Sequence, residues 1–158
     1  MIMENFSLPA ILSQHYELLL LVNPEIKILE ASEKYLRSKG YSSINISKEL
    51  SKALILEPLQ NRTRFTTNWL VSIHSHYDEK PVLCTTPDLL FEPSLFIDPF
   101  MLFRQAARLQ RLIVTWPGDY QSQLFSYAIP EHAHYRTWII SNDILHNPKI
   151  IIHRIEPN

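Results

Sequence analysis

Seven histidines and one cysteine are the softer metal-ligating side chains of this sequence, and two His-x-His pairs, His74-x-His76 and His132-x-His134, come closest to forming a site. On an extended backbone residues i and i+2 point to one side, which would turn both imidazoles toward a Zn²⁺ ion. His74, however, stands in a segment of helical period, where i and i+2 diverge, and no cysteine or carboxylate has the spacing to close a four-ligand set. The sequence is therefore read as holding no metal. Cys84 lies in the apolar run Val82-Leu83-Cys84, and a lone cysteine excludes an internal disulfide, so a reducing compartment is expected.

Phosphate chemistry meets a harder limit. The 158 residues include two glycines, Gly40 and Gly118, where average usage would supply roughly eleven. A dinucleotide fingerprint needs three glycines in six residues and a Walker A loop two in six, because glycine lets backbone N–H groups close in on phosphates. Neither can be built. The net charge of −1 lacks the strongly basic balance of a non-specific nucleic-acid binder. Arg104, Arg108 and Arg111 are the candidate anion contacts, although Arg108 and Arg111 also suit the negative end of a helix dipole.

The elements that must position these groups alternate between short apolar runs and longer stretches of helical period. That is the pattern of an α/β fold, a mainly parallel sheet flanked by helices, and one domain over residues 1–158 is expected. Strands are predicted at Leu18–Val22, Ser43–Ile46, Val82–Thr86, Leu112–Trp116 and Ile150–His153, with Leu124–Ala128 as an edge strand or hairpin arm. Helices are predicted from Glu25 to Lys39, ended by Gly40, from an N-cap at Ser47, over Asn68–Tyr77, and from the Asp98-Pro99 start. Met1 to Ile11 has no signal-peptide pattern, and no apolar run nears the roughly 20 residues of a membrane span, so a cytoplasmic protein without a membrane partner is expected.

In a parallel α/β sheet, ligands sit beyond the carboxyl ends of the strands. After the first strand come Asn23, Pro24, Glu25, Ile26, Lys27 and Ile28. Pro24 lacks an N–H, Glu25 is an anion where a phosphate would sit, and Ile28 has no hydroxyl for Mg²⁺. The third strand ends in Thr85-Thr86 rather than a carboxylate, and Asp88 after Pro87 reads as a cap of the Leu89-Leu90-Phe91 turn. Trp116-Pro117-Gly118 reads as a structural corner in which Gly118 supplies a positive φ.

Taken in order, Val82-Leu83-Cys84-Thr85-Thr86-Pro87-Asp88-Leu89-Leu90-Phe91, Asp98-Pro99, Val114-Thr115-Trp116-Pro117-Gly118, Tyr127-Ala128, His132 and Tyr135-Arg136 resemble the landmarks of the BrxF family, small P-loop proteins of BREX phage-defence systems. The resemblance spans about residues 18 to 138. It implies a P-loop NTPase-like fold whose nucleotide site is degenerate at Asn23, Pro24, Lys27, Thr85 and Asp88, with Trp116, Gly118, His132, Tyr135 and Arg136 as its remaining functional landmarks. No catalytic residue and no cofactor is then expected, because phosphate and Mg²⁺ contacts supply nearly all of such catalysis.

Three functions follow as expectations. The first is a non-catalytic interaction or assembly subunit of a BREX-type defence system, whose partners would be other defence proteins, an ATP-competent subunit, or a second copy. Leu95, Phe96 and Phe125 are its candidate contacts. The second is an atypical ATP-binding protein, with Lys27 and an arginine of the 104–111 segment on the phosphates. The third is a small DNA-binding regulator using Arg62, Arg64, Arg104, Arg108 and Arg111 on one face.

Overall fold

The computed structural model describes residues 7–73, 80–121, 123–127 and 136–156. Helix α1 (Leu8–Leu12) leads into strand β1 (Leu18–Val22), helix α2 (Ile26–Ser38), strand β2 (Ser43–Asn45), helices α3 (Ile46–Leu54) and α4 (Arg62–Val71), and strand β3 (Val82–Thr85). Two 3-10 turns precede helix α5 (Pro99–Ala107) and strand β4 (Leu112–Trp116). A three-stranded antiparallel meander follows as β5 (Gly118–Gln121), β6 (Leu124–Tyr127) and β7 (Arg136–Ile139), then helix α6 (Asn142–Leu145) and strand β8 (Ile150–Arg154).

Five strands form one parallel sheet in the order β2-β3-β4-β1-β8. Every residue of β1, β3 and β4 is buried, as expected of strands covered on both faces. Alternation divides their side chains: Leu18, Leu20, Val22, Val114 and Trp116 face one layer, while Leu19, Leu21, Leu83 and Ile113 face another that includes Ile11 and Leu36. The handedness of crossovers decides which elements cover which face. Only the β1-to-β2 connection runs against the direction of the others across the sheet, so right-handed connection puts α2 on one side and α3, α4, α5 and the meander on the other.

An aromatic cluster joins the meander to the main sheet. Phe91 stacks on Tyr127 at 4.1 Å between ring centroids and meets Trp116 edge-on at 4.8 Å, and Trp116 touches Phe125 at 5.0 Å. The Trp116 indole N–H donates to the Ser126 carbonyl at 3.0 Å. Trp116-Pro117-Gly118 is thus a corner between the two sheets.

Several local expectations change. Gly118 carries no positive φ; it is required because a Cβ there would lie 1.9 Å from the Ser126 carbonyl oxygen. Gly40 does have a positive φ, of +88°, and ends α2 as expected. The N-cap of α3 is Asn45, whose side chain accepts from the Lys48 N–H, and Ser47 instead lies within the helix. Helix α4 covers Arg62–Val71 rather than beginning at Asn68, because the polar stretch before it carries Phe65 and Thr66 onto the packed face. Asp98 caps α5 by accepting from the Met101 N–H.

The two glycines make a paired test by chemical denaturation. Gly118→Ala is expected to destabilise by about 2–3 kcal/mol or more, through a backbone clash that no rotamer relieves. Gly40→Ala is expected to cost about 1 kcal/mol, for the left-handed backbone alone. Equal losses would contradict the close-approach account of Gly118.

Candidate functional site

The crossover pattern creates one crevice. Beyond the carboxyl ends of the adjacent strands β1 and β4 the chain departs to opposite faces, and this is where a doubly wound sheet opens for a ligand. Here it is closed. The Asn23 N–H donates to the Trp116 carbonyl and the Asn23 carbonyl accepts from the Gly118 N–H, both at 3.2 Å, so the β1–β4 ladder continues across the opening. On the other side the Asn23 side-chain amide donates to the Ile155 carbonyl at 2.7 Å, and its oxygen accepts from the Glu25 N–H at 2.7 Å. Asn23 is 6 % exposed.

Three residues, Asn23, Pro24 and Glu25, separate Val22 from the first residue of α2. A Walker signature places six residues before its lysine, and their N–H groups must point inward at phosphate. In this connection one N–H is in the ladder, one is absent at Pro24 and one is held by Asn23. Lys27 stands exposed in the first turn of α2.

Thr85 ends β3 as a buried neutral hydroxyl that donates to the Ile44 carbonyl at 3.4 Å. Beside it Thr115 of β4 donates to the Glu33 carboxylate at 2.6 Å. Glu33 projects from α2 and is itself buried at 9 % exposure. Burial, reinforced by the nearby Glu30 and Asp88 carboxylates, raises its pKa above the ordinary value, against the opposing effects of Thr115 and Arg37. A carboxylate bound to a hydroxyl beneath a helix braces α2 against β4. Among the described residues, no group of three or more His, Cys, Asp or Glu side chains could hold a metal ion.

Asp88 is not a cap. It accepts a hydrogen bond from the Tyr127 hydroxyl at 3.0 Å, tying the turn after β3 to the meander. Burial, with the Asp88 charge and hydrogen bond adding to it, pushes the Tyr127 phenol well above its ordinary pKa, so it donates and does not act as a base. Ser47 binds the same turn, donating to the Thr86 carbonyl at 2.6 Å and accepting from the Leu89 N–H at 2.9 Å. A cleft of about 570 Å³ opens beside these residues, with Lys48, Asp88 and Glu92 among its walls.

The candidate anion contacts lie elsewhere. Arg104 is buried and pairs with Glu17 at 3.0 Å, just before β1. Arg111 donates to the Tyr16 carbonyl at 2.7 Å and lies over the Tyr16 ring. Both therefore serve the amino ends of the strands, a full strand length from Lys27, and Arg108 is exposed at the end of α5. His74, His76, His132, His134 and Tyr135 lie outside the described residues, and Arg136 is described only as the first residue of β7. Leu95 and Phe125 are core, whereas Phe96 is exposed.

Glu33 is the site residue that sequence reading missed, and Thr115 and Tyr127 entered it only within the runs that carry the resemblance. Glu33 carried a signal, since it follows Leu29 by four and precedes Leu36 by three on the buried stripe of α2. Comparison with protein-family models, curated proteins and solved structures finds no match to this chain. No helix among the described residues is long and apolar enough to cross a membrane.

The Glu33 brace has a pH signature. A carboxyl whose folded pKa is raised contributes stability fully present below its unfolded pKa, near the ordinary carboxylate value, and lost as pH rises through the higher folded pKa. Glu33→Gln keeps an acceptor for Thr115 without the charge. Measured by denaturation across pH 4 to 8, this variant is expected to gain on the parent as pH rises; a difference independent of pH would refute the buried-charge account.

Proposed function

We propose that this chain is a non-catalytic descendant of a P-loop NTPase, working as an interaction or assembly subunit of a BREX-type antiphage system in the cytoplasm. The observation that carries the reading is the closed crevice, in which Asn23 joins β1, β4 and β8 where a phosphate loop would stand. The sheet order supports it: counted within the parallel sheet it is 2-3-4-1-5, with a strand inserted between the first and third, as in the AAA-like branch of P-loop folds. Doubly wound dinucleotide folds run 3-2-1-4-5-6 instead. Thr85 at the end of β3 removes the carboxylate that would hold Mg²⁺.

The atypical ATP-binding alternative loses two of its three candidate second contacts. Arg104 and Arg111 are held at the amino ends of the strands by Glu17 and Tyr16, while Arg108 stays exposed at the end of α5. The DNA-binding alternative likewise loses two of its five arginines to Glu17 and Tyr16.

Thermal melting with millimolar Mg²⁺-ATP, Mg²⁺-ADP or EDTA tests the reading. A ligand at about 100 times its Kd would add roughly 2.7 kcal/mol of stability. The expected result is an unchanged melting temperature in all three; a saturable rise with Mg²⁺-ATP that EDTA abolishes would overturn it.

A further inference from the structure

The cleft of about 570 Å³ beside Asp88 lies beyond the carboxyl ends of β2 and β3, between the start of α3 and the 3-10 turn Pro87–Phe91. Its volume is that of a small-molecule site, and Leu89, Phe91 and Tyr127 form the apolar part of its wall. The wall is fixed by the protein itself. Thr86 is held in a left-handed conformation, φ 49° and ψ 61°, while its carbonyl accepts from both the N–H and the hydroxyl of Ser47, at 3.0 and 2.6 Å. Phe91 stacks on Tyr127, whose hydroxyl binds one oxygen of Asp88.

The groups left unbonded set the sign of charge that the cleft can take. Donors at the start of α3 are spent within the protein: the Ser47 N–H on Thr86, the Lys48 N–H on the Asn45 side chain, and the Ser51 hydroxyl on the Lys48 carbonyl. An anion therefore finds few backbone partners there. Three charged groups remain on the walls. They are the second oxygen of Asp88, the Glu92 carboxylate, which accepts a 3.4 Å hydrogen bond from Ser94, and the Lys48 ammonium; among the described residues none of the three is in an ion pair. Two carboxylates against one ammonium leave the cleft net negative, and the Asp88 charge also bears on the buried Glu33.

We propose that this cleft binds a small organic cation, with its guanidinium or ammonium group received by Asp88 and Glu92 and its apolar part against Leu89 and Tyr127. Charge-assisted hydrogen bonds to the two carboxylates are the contacts that a neutral or anionic molecule of the same size cannot make. Because Thr86, Asp88 and Tyr127 are already held in place, binding orders little of the protein.

Isothermal titration of the full chain with agmatine, which carries a guanidinium at one end and an ammonium at the other, tests it, with succinate as the anionic counterpart. Saturable agmatine binding with a Kd at or below about 1 mM is expected, and none with succinate. Asp88→Asn keeps an acceptor for the Tyr127 hydroxyl, and Glu92→Gln changes a part-exposed side chain, so each is expected to fold while weakening agmatine binding about tenfold. Glu30→Gln, an exposed position of α2 on the opposite face of the sheet, is expected to leave binding unchanged. No saturation up to about 10 mM, succinate bound as tightly as agmatine, or an equal loss with Glu30→Gln overturns the inference. The titration contains no nucleotide, so its failure leaves the reading of the closed crevice standing, and the melting experiment decides that reading alone.

Discussion

Asn23 makes four hydrogen bonds at the junction of three strands, and the top of the sheet depends on them. Two continue the β1–β4 ladder, one reaches Ile155 beyond β8, and one fixes the Glu25 N–H at the start of α2. At about 1 kcal/mol each net, and more if one were broken while buried, they are comparable to the roughly 3–6 kcal/mol of backbone entropy that ordering a three-residue connection costs. These bonds make the β1–β4 crevice part of the folded framework.

At the same edge the polar side chains bind one another. Where charge would be needed to hold Mg²⁺, β3 ends in a neutral hydroxyl; where an open position would be needed, Glu33 binds Thr115 beneath α2. Asp88, the carboxylate nearest to that edge in sequence, binds Tyr127 and draws the meander onto the sheet. Thr85, Glu33 and Asp88 each have a hydrogen-bond partner within the protein, which ties the layers together.

Most of the architecture was legible because buried parallel strands are written as unbroken apolar runs. Leu18 to Val22, Val82 to Thr85 and Leu112 to Trp116 were each identifiable on that ground, and Gly40 and the Asp98-Pro99 start followed from backbone chemistry. Local misreadings arose where a residue's partner is distant in sequence. Ser47 resembles an N-cap, yet its hydroxyl serves a turn 39 residues away, and Asp88 resembles a cap, yet its partner is Tyr127. Gly118 was identified as special for the wrong reason, since a close approach to Ser126 is a tertiary fact that no local pattern encodes. The arginines failed for the same cause: residue type suggests anion binding, but only the fold reveals that Arg104 and Arg111 sit at the opposite edge.

The central claim is that the β1–β4 crevice is closed by backbone. Amide hydrogen exchange resolved at Asn23 and Gly118 tests it directly, because both N–H groups belong to the continued ladder. The account predicts exchange as slow as that of the neighbouring strand residues and unaltered by Mg²⁺-ATP. Fast exchange at both, or protection that appears only with nucleotide, would contradict it.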